Sequence, residues 1–299
     1  TLLYSAARWL GYLAVFLVAG AAVFRWVVLP RAAASAGADA ENLAARGVVV
    51  ARAGAVLLAV TLLGRLYFQT RSLLDPEEPV TRDILRLVLA GQWGRGWLAQ
   101  GAAALMALVG WRSVGRTPAW RPGLVVALIS SIAVVLTSPL TGHATGLPAA
   151  GLLGYPMTVL HLAGGAGWLG TLGVLWLAAL GRGGSGGIPT RSLIDAFSPV
   201  ALVSAAIAVA LGGLLAWRYL GGLSPLWTSD YGRALLFKLG ALAGVAATGF
   251  YNWRVALPRL RRGDGAPIGR TAAAELCIGL LLLAITAVLV SLAAPADHG

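Results

Sequence analysis

The stretch TAAAELCIGLLLLAITAVLVSLA, residues 271–293, is strongly apolar and carries a single charged residue, Glu275. A bilayer core about 30 Å thick requires roughly 20 apolar residues in a helix. A run of this length and composition therefore predicts a helix that crosses a membrane.

Seven further segments have the same character, and Pro, Gly or charged residues separate them all. These predicted spans cover residues 4–28, 46–68, 95–112, 121–137, 155–180, 196–217 and 232–254. We therefore predict an all-α polytopic membrane bundle of eight transmembrane helices, forming one domain over 1–299. Residues 79–92 (PVTRDILRLVLAGQ) place apolar and charged side chains on different helical faces. This pattern predicts a short amphipathic helix that lies on the membrane surface.

The composition excludes several classes of protein. Only 11% of the 299 residues are charged and 58% are hydrophobic, whereas an average soluble domain is roughly a quarter charged. A water-soluble globule, a disordered chain and a nucleic-acid-binding protein are excluded, despite the net charge of +12. The single cysteine, Cys277, allows no intrachain disulfide and no thiolate metal cluster. Because the first apolar stretch is too long for a secretion signal, we expect no cleavable signal peptide.

The distribution of arginine predicts the orientation in the membrane. Twelve arginines lie in the connections after the first, third, fifth and seventh spans, against seven on the other side. Because positively charged loops stay in the cytoplasm, we expect those connections inside and both termini outside. The termini would then face a periplasm or the cell exterior. Ten of the eleven tryptophans fall near span ends or in loops, as in an interfacial aromatic belt.

Histidine and methionine supply the candidate ligands for a metal ion. His161 lies about five residues inside the fifth predicted span, and Met157 precedes it by four positions on the same helical face. His143 lies in the loop before this span and His298 at the C-terminal end, so all three histidines are expected at the outer face. Imidazole and thioether groups suit Cu(I). The same pattern also fits a structural histidine that only bonds a main-chain carbonyl.

Four charged residues lie within predicted spans or near their ends, namely Arg25, Arg65, Lys238 and Glu275. Such charges are costly in a membrane and need a partner or water. We expect Glu275 to pair with Arg25 on the inner side. Lys238 is expected to pair with Asp230 or with helix-end carbonyls. For both Arg25 and Arg65, a side chain that extends toward the interface is favoured over a functional role.

Three functions remain open at this point. The chain has no nucleophile–base pair, phosphate-binding loop or paired carboxylates, so we expect no enzyme. Besides copper handling, the pattern fits a structural subunit of a larger membrane complex that has no chemistry of its own. It also fits a protein with b-type haem, although His143 appears in a loop and membrane haem ligands usually lie in facing helices.

Four segments resemble the copper resistance D (CopD) family of inner-membrane proteins. They are SPLTGHATG (138–146), HLAGGAGWLGTL (161–172), YGRALLFKLGALAGVAATGFYNWRVALPRL (231–260) and the Glu early in the last span. The resemblance covers about 130–295. It implies an eight-helix protein of copper uptake or tolerance that works with a periplasmic copper carrier. The residues that the resemblance carries over are His143, His161, Trp168, Gly170, Tyr231, Lys238 and Glu275.

The sequence departs from the family pattern at two points, and the resemblance suggests a path for copper. Thr171 stands where the family often has a second Gly, and the chain has no fused soluble copper domain or Met-rich segment. We hypothesise that copper binds His143, His161 and Met157 at the outer face and then moves passively between the fifth, seventh and eighth spans. On the inner side only Cys277 or Glu275 could receive it.

Overall fold

The computed structural model describes residues 2–32, 37–75, 77–114, 121–142, 151–182, 187–263 and 268–297. Within these ranges all regular structure is helical, which confirms the all-α prediction. The main helices are α1 (Leu2–Ala32), α2 (Gly37–Arg71), α3 (Arg82–Ala90), α4 (Gln92–Ser113), α5 (Arg121–Thr137), α6 (151–178), α7 (Thr190–Leu220), α8 (Asp230–Arg261) and α9 (Ile268–Leu289). Short single turns follow α5, α6, α7 and α9, at Ser138–Thr141, Leu180–Arg182, Pro225–Thr228 and Pro295–Asp297.

Seven of the helices in the described residues are long and apolar enough to cross a membrane. They are α1, α2 and α5 to α9. The remaining predicted span, 95–112, is present as α4. Gln100, the terminal arginines and several glycines make α4 less apolar than the other seven helices. The protein is therefore a multi-pass membrane bundle with seven candidate spans, and the predicted count of eight is not established by the structure.

Helix α1 lies at the centre of the bundle and packs against α2, α5, α6 and α9. The backbones of α1 and α6 lie in direct contact, since a Cβ added to Gly20 would lie 2.2 Å from the carbonyl carbon of Gly170. The hydroxyl of Thr171 also donates a hydrogen bond of 3.5 Å to the carbonyl oxygen of Gly20. Small residues at such a contact let two membrane helices approach closely.

Three of the spans contain a π-helical turn. These turns are Phe24–Val28 in α1, Ala166–Gly170 in α6 and Asn252–Ala256 in α8. Single π turns inside α-helices are rare and frequently occur at functional sites. Two of the three present side chains to the same buried carboxylate, as described below.

The short helix α3 confirms that a helix lies in the 79–92 segment. Thr81 caps it, because its hydroxyl oxygen accepts a hydrogen bond of 3.4 Å from the backbone N–H of Ile84. Val88 is buried, whereas Arg82, Asp83 and Arg86 are exposed. The helix is therefore amphipathic, and it packs on the first turns of α4.

Several tryptophans connect helices through the indole N–H. Besides Trp168, described below, four tryptophans near span ends donate hydrogen bonds to another helix: Trp9 to Leu280, Trp97 to Leu62, Trp111 to Ser131 and Trp176 to Gly269. Trp111 is fully buried, although the sequence places it at a span end. Their position near span ends thus serves helix packing as well as an interfacial belt.

Candidate functional site

The carboxylate of Glu275 is the centre of a buried polar cluster inside the bundle. Its Oε1 accepts a hydrogen bond of 3.1 Å from the indole Nε1 of Trp168, and its Oε2 accepts one of 3.1 Å from the Nδ2 of Asn252. Glu275 is 6% exposed and Trp168 is 9% exposed. Each residue of this cluster belongs to a different span, namely α9, α6 and α8.

The two π turns supply both hydrogen-bond donors of this cluster. Trp168 is the central residue of the π turn in α6, and Asn252 is the first residue of the π turn in α8. Asn252 belongs to the 231–260 segment that resembles the CopD family, but the sequence predicts no role for it. The signal that could have found it is a lone amide in an apolar span that faces the Glu-bearing span.

The expected ion pair between Glu275 and Arg25 is wrong. Both residues are described by the structure, and no ion pair joins them. Arg25 lies in the π turn of α1 and is only half-buried. Neutral N–H donors satisfy the carboxylate instead, so the described residues leave Glu275 without a cationic partner.

His161 lies on α6 against a turn of α7. Its Nδ1 is 2.7 Å from the carbonyl oxygen of Ala208, and because a carbonyl only accepts, Nδ1 must carry the proton. A Cβ added to Gly212 would lie 2.7 Å from the ring carbon Cε1, so the imidazole occupies the space that a side chain there would need. In the neutral ring this arrangement leaves the Nε2 lone pair available.

The thioether of Met157 contacts a cation. The guanidinium Nη1 of Arg218, from α7, lies 4.0 Å from its sulfur. A positive group at this distance opposes the binding of a metal cation to the same sulfur. Met157 therefore shares the α6–α7 face with His161, but its sulfur is not free as the sequence pattern suggested.

Lys238 of α8 lies near enough to His161 to interact with it electrostatically. It is half-buried and has no ion-pair partner among the described residues. The expected pair with Asp230 does not form, because Asp230 bonds Arg233 at 3.2 Å. Lys238 therefore adds a second positive charge, besides that of Arg218, to the surroundings of His161.

Cys277 does not share a face with Glu275. It is exposed on the outside of α9, while Glu275 two positions earlier points into the bundle. A route that uses both side chains is therefore not supported by the geometry.

Two further predicted ligands lie outside the described residues. These are His143 and His298. Within the described ranges no three His, Cys, Asp or Glu side chains gather as a metal site.

Two other family positions have packing roles. Gly170 allows the backbone contact with α1, because a Cβ there would lie 2.3 Å from the carbonyl oxygen of Phe16. Tyr231 is 8% exposed and packs with Tyr219 in a small apolar cluster at the ends of α7, α8 and α9. Neither residue lies in the Glu275 cluster.

Arg65 is buried inside the protein and does not reach water, which corrects another expectation. It is 8% exposed and donates hydrogen bonds of 3.2 Å to the Oε1 of Gln100 and 2.6 Å to the hydroxyl of Thr141. Its Nε has no partner in the described part of the chain. The guanidinium therefore connects α2, α4 and the turn after α5.

Comparisons with known proteins match both halves of the chain. The model "Copper resistance protein D-like, N-terminal domain" matches residues 1–155, and "Copper resistance protein D" matches residues 191–289. The similarity thus includes the first four predicted spans, beyond the region of about 130–295 in which the sequence motifs lie.

One characterised relative and the solved structures complete the comparison. The "Copper transport protein CutJ" of Bacillus subtilis (strain 168) is 28% identical over 174 residues, which cover 57% of this chain and 31% of the relative. The chain therefore spans less than a third of the matched relative's length. No solved structure matches significantly. Since the N-terminal model alone covers half of the chain, the protein belongs to the copper resistance protein D family.

Proposed function

We propose that this protein moves copper ions across a bacterial inner membrane, with His161 as a ligand in the outer half of the bundle. The family and the copper transport protein among its relatives support copper as the cargo. The observation that carries the proposal is the orientation of His161, whose Nδ1–H is fixed by the carbonyl oxygen of Ala208. Metal-binding histidines commonly donate the second ring N–H in this way, which holds Nε2 toward the ion.

The surroundings of His161 favour a weak and transient site. Arg218 at the sulfur of Met157 and Lys238 on α8 both place positive charge nearby. These charges lower the affinity for a cation, and conduction requires an ion to leave a site as well as enter it. His143 and Met157 are proposed as additional ligands, with Met157 free to bind only after Arg218 moves.

We also propose that α4 crosses the membrane, which gives eight spans and places both termini outside. Its outward face is apolar, with Leu98, Leu105 and Val109 at least half exposed. Its other face is buried against α2 and α5. On this topology α3 lies on the outer membrane surface, and a periplasmic copper carrier would deliver the ion there.

Copper uptake by purified protein in lipid vesicles tests this function. The informative variant is His161→Asn, because an amide can still donate to a carbonyl oxygen but is a much poorer copper ligand. Leu160→Ala, on the exposed neighbouring position, is the matched control. We expect wild type and Leu160→Ala to load vesicles with copper and His161→Asn to load them at least about tenfold more slowly.

The other outcomes separate the alternatives. Wild-type vesicles that take up no more copper than protein-free vesicles would contradict transport and leave a structural subunit as the better account. Equal uptake by His161→Asn and wild type would show that His161 only bonds the main chain. A Soret absorbance band in the purified protein would instead support haem.

A further inference from the structure

The Glu275 cluster contains an acceptor atom that nothing satisfies. The Oδ1 of Asn252 is buried and has no hydrogen-bond partner among the described residues. It belongs to the same amide whose Nδ2 lies 3.1 Å from the Oε2 of Glu275. Buried polar atoms are almost always paired, so an orphan acceptor beside a carboxylate requires an explanation.

The carboxylate itself has unused capacity. Each oxygen of a carboxylate has two lone-pair directions, and Trp168 and Asn252 use one on each oxygen. Both donors are neutral. Arg25, the cation that the sequence predicted as a partner, forms no ion pair with Glu275 in the described structure. Burying a carboxylate without positive charge is unfavourable, and a bound cation offsets that cost.

We propose that Glu275 and the side-chain oxygen of Asn252 form an intramembrane transit site for the copper ion. This inference rests on the proposed transport function and adds a second station with two named oxygen ligands. The site lies where α6, α8 and α9 converge, and two π turns orient the residues around it. It differs from the earlier alternative at Cys277, whose sulfur faces outward.

The position of this site suits a path that begins at His161. Trp168 follows His161 by seven positions in α6, which corresponds to about 10 Å along a helix axis. Three glycines, Gly164, Gly165 and Gly167, lie between them, and α7 or the ring of Phe16 packs directly against each one. His161 and the indole that contacts Glu275 are thus about two helical turns apart along α6.

The chemistry of the ligands explains why the site passes copper on. Soft sulfur ligands hold Cu(I) tightly, whereas carboxylate and amide oxygens bind it weakly. A station inside a conduction path must release its ion. The site meets this requirement, because the negative charge of Glu275 attracts the cation while oxygen ligands bind Cu(I) only weakly.

Vesicle uptake of Cu⁺, kept reduced with ascorbate, tests the proposal with three variants on the same helix. Glu275→Gln removes the charge and keeps the shape, and Cys277→Ser alters the exposed face two positions away. We expect Glu275→Gln to slow uptake at least about tenfold, Glu275→Asp to recover part of the rate, and Cys277→Ser to match wild type. Uptake by Glu275→Gln at the wild-type rate overturns the transit site while leaving transport intact. No uptake by wild type overturns the transport function and the site with it.

A fluorescence measurement on folded protein covers the case in which Glu275→Gln does not fold. A copper ion at Glu275 lies beside the indole of Trp168, so adding Cu⁺ to purified protein should change the emission of Trp168. We expect the copper-dependent emission change to be smaller in Trp168→Phe than in wild type, and unchanged in Trp217→Phe, which alters an exposed tryptophan. A copper response that Trp168→Phe leaves unaltered overturns the proposal.

Discussion

The indole N–H of Trp168 donates a hydrogen bond to the carboxylate of Glu275, 107 positions later in the chain. The bond joins α6 to α9 inside the bundle, and Asn252 adds α8 through the second carboxylate oxygen. Because α6 and α8 both contain a π turn at the donor residue, the backbone of each helix is adapted to this one carboxylate. The C-terminal half of the protein is thus organised around a polar group that faces no lipid.

Replacing Trp168 by Phe should destabilise the protein, because one oxygen of a buried carboxylate then loses its donor. We expect a loss of about 1–3 kcal/mol in the free energy of unfolding. Thermal unfolding in detergent, compared with Trp217→Phe at a 60% exposed site, checks this. Equal melting temperatures for the two variants would show that the hydrogen bond contributes nothing.

Replacing Gly20 by Ala should separate α1 from α6. The new Cβ would lie 2.2 Å from the backbone of Gly170, which cannot move aside without shifting a helix. We expect a loss of about 1–3 kcal/mol in stability. Gly101→Ala is the matched control, since its Cβ would meet nothing within 4 Å and alanine favours the helix. If both variants unfold at the wild-type temperature, the close approach of α1 and α6 is not present in the protein.

Replacing Gly212 by Ala should displace the imidazole of His161, because the added Cβ would lie 2.7 Å from Cε1. The ring then loses its hydrogen bond to Ala208, and with it the fixed orientation of Nε2. Loss of such a supporting bond weakens metal binding by about 10- to 100-fold. Copper titration of the purified variant measures the effect. The neighbouring Gly213→Ala adds a Cβ into open space and should bind copper like wild type; equal affinities in both variants would contradict the role assigned to His161.

Replacing Arg65 by Lys should destabilise the N-terminal half. An ammonium group keeps the charge, but it cannot span Gln100 and Thr141 as the planar guanidinium does. We expect a loss of about 2 kcal/mol, seen as a lower melting temperature. Arg86→Lys, at a side chain that is 80% exposed, should leave the melting temperature unchanged. An unchanged melting temperature for Arg65→Lys would show that the hydrogen bonds of the guanidinium do not stabilise the protein.

Apolar length and helical periodicity predicted the helices well, because the bilayer imposes both. The ends of α1, α5 and α9 fall within a few residues of the predicted segments. The same reasoning could not place Glu275 opposite Trp168, since that contact depends on how three helices pack and on π turns that leave no pattern in the sequence. It also placed Arg65 at the interface, because a buried arginine bonded to neutral groups looks the same in sequence as one that reaches water.

The candidate site could be predicted only in part from the sequence, because several of its contacts depend on how the helices pack. The spacing of Met157 and His161 correctly placed them on one face of α6, but the approach of Arg218 from α7 has no local signal. No role was predicted for Asn252, because a single amide in a span has no characteristic spacing. Ligands within one helix can thus be found from sequence, whereas their partners on other helices require the fold.

The most direct test of copper binding at His161 is X-ray absorption at the copper edge of copper-loaded protein. Wild type should show imidazole nitrogen among the copper ligands, and His161→Asn should lose that contribution while Leu160→Ala retains it. Identical copper spectra for wild type and His161→Asn would contradict the account, because the Nε2 lone pair would then play no part in holding the ion.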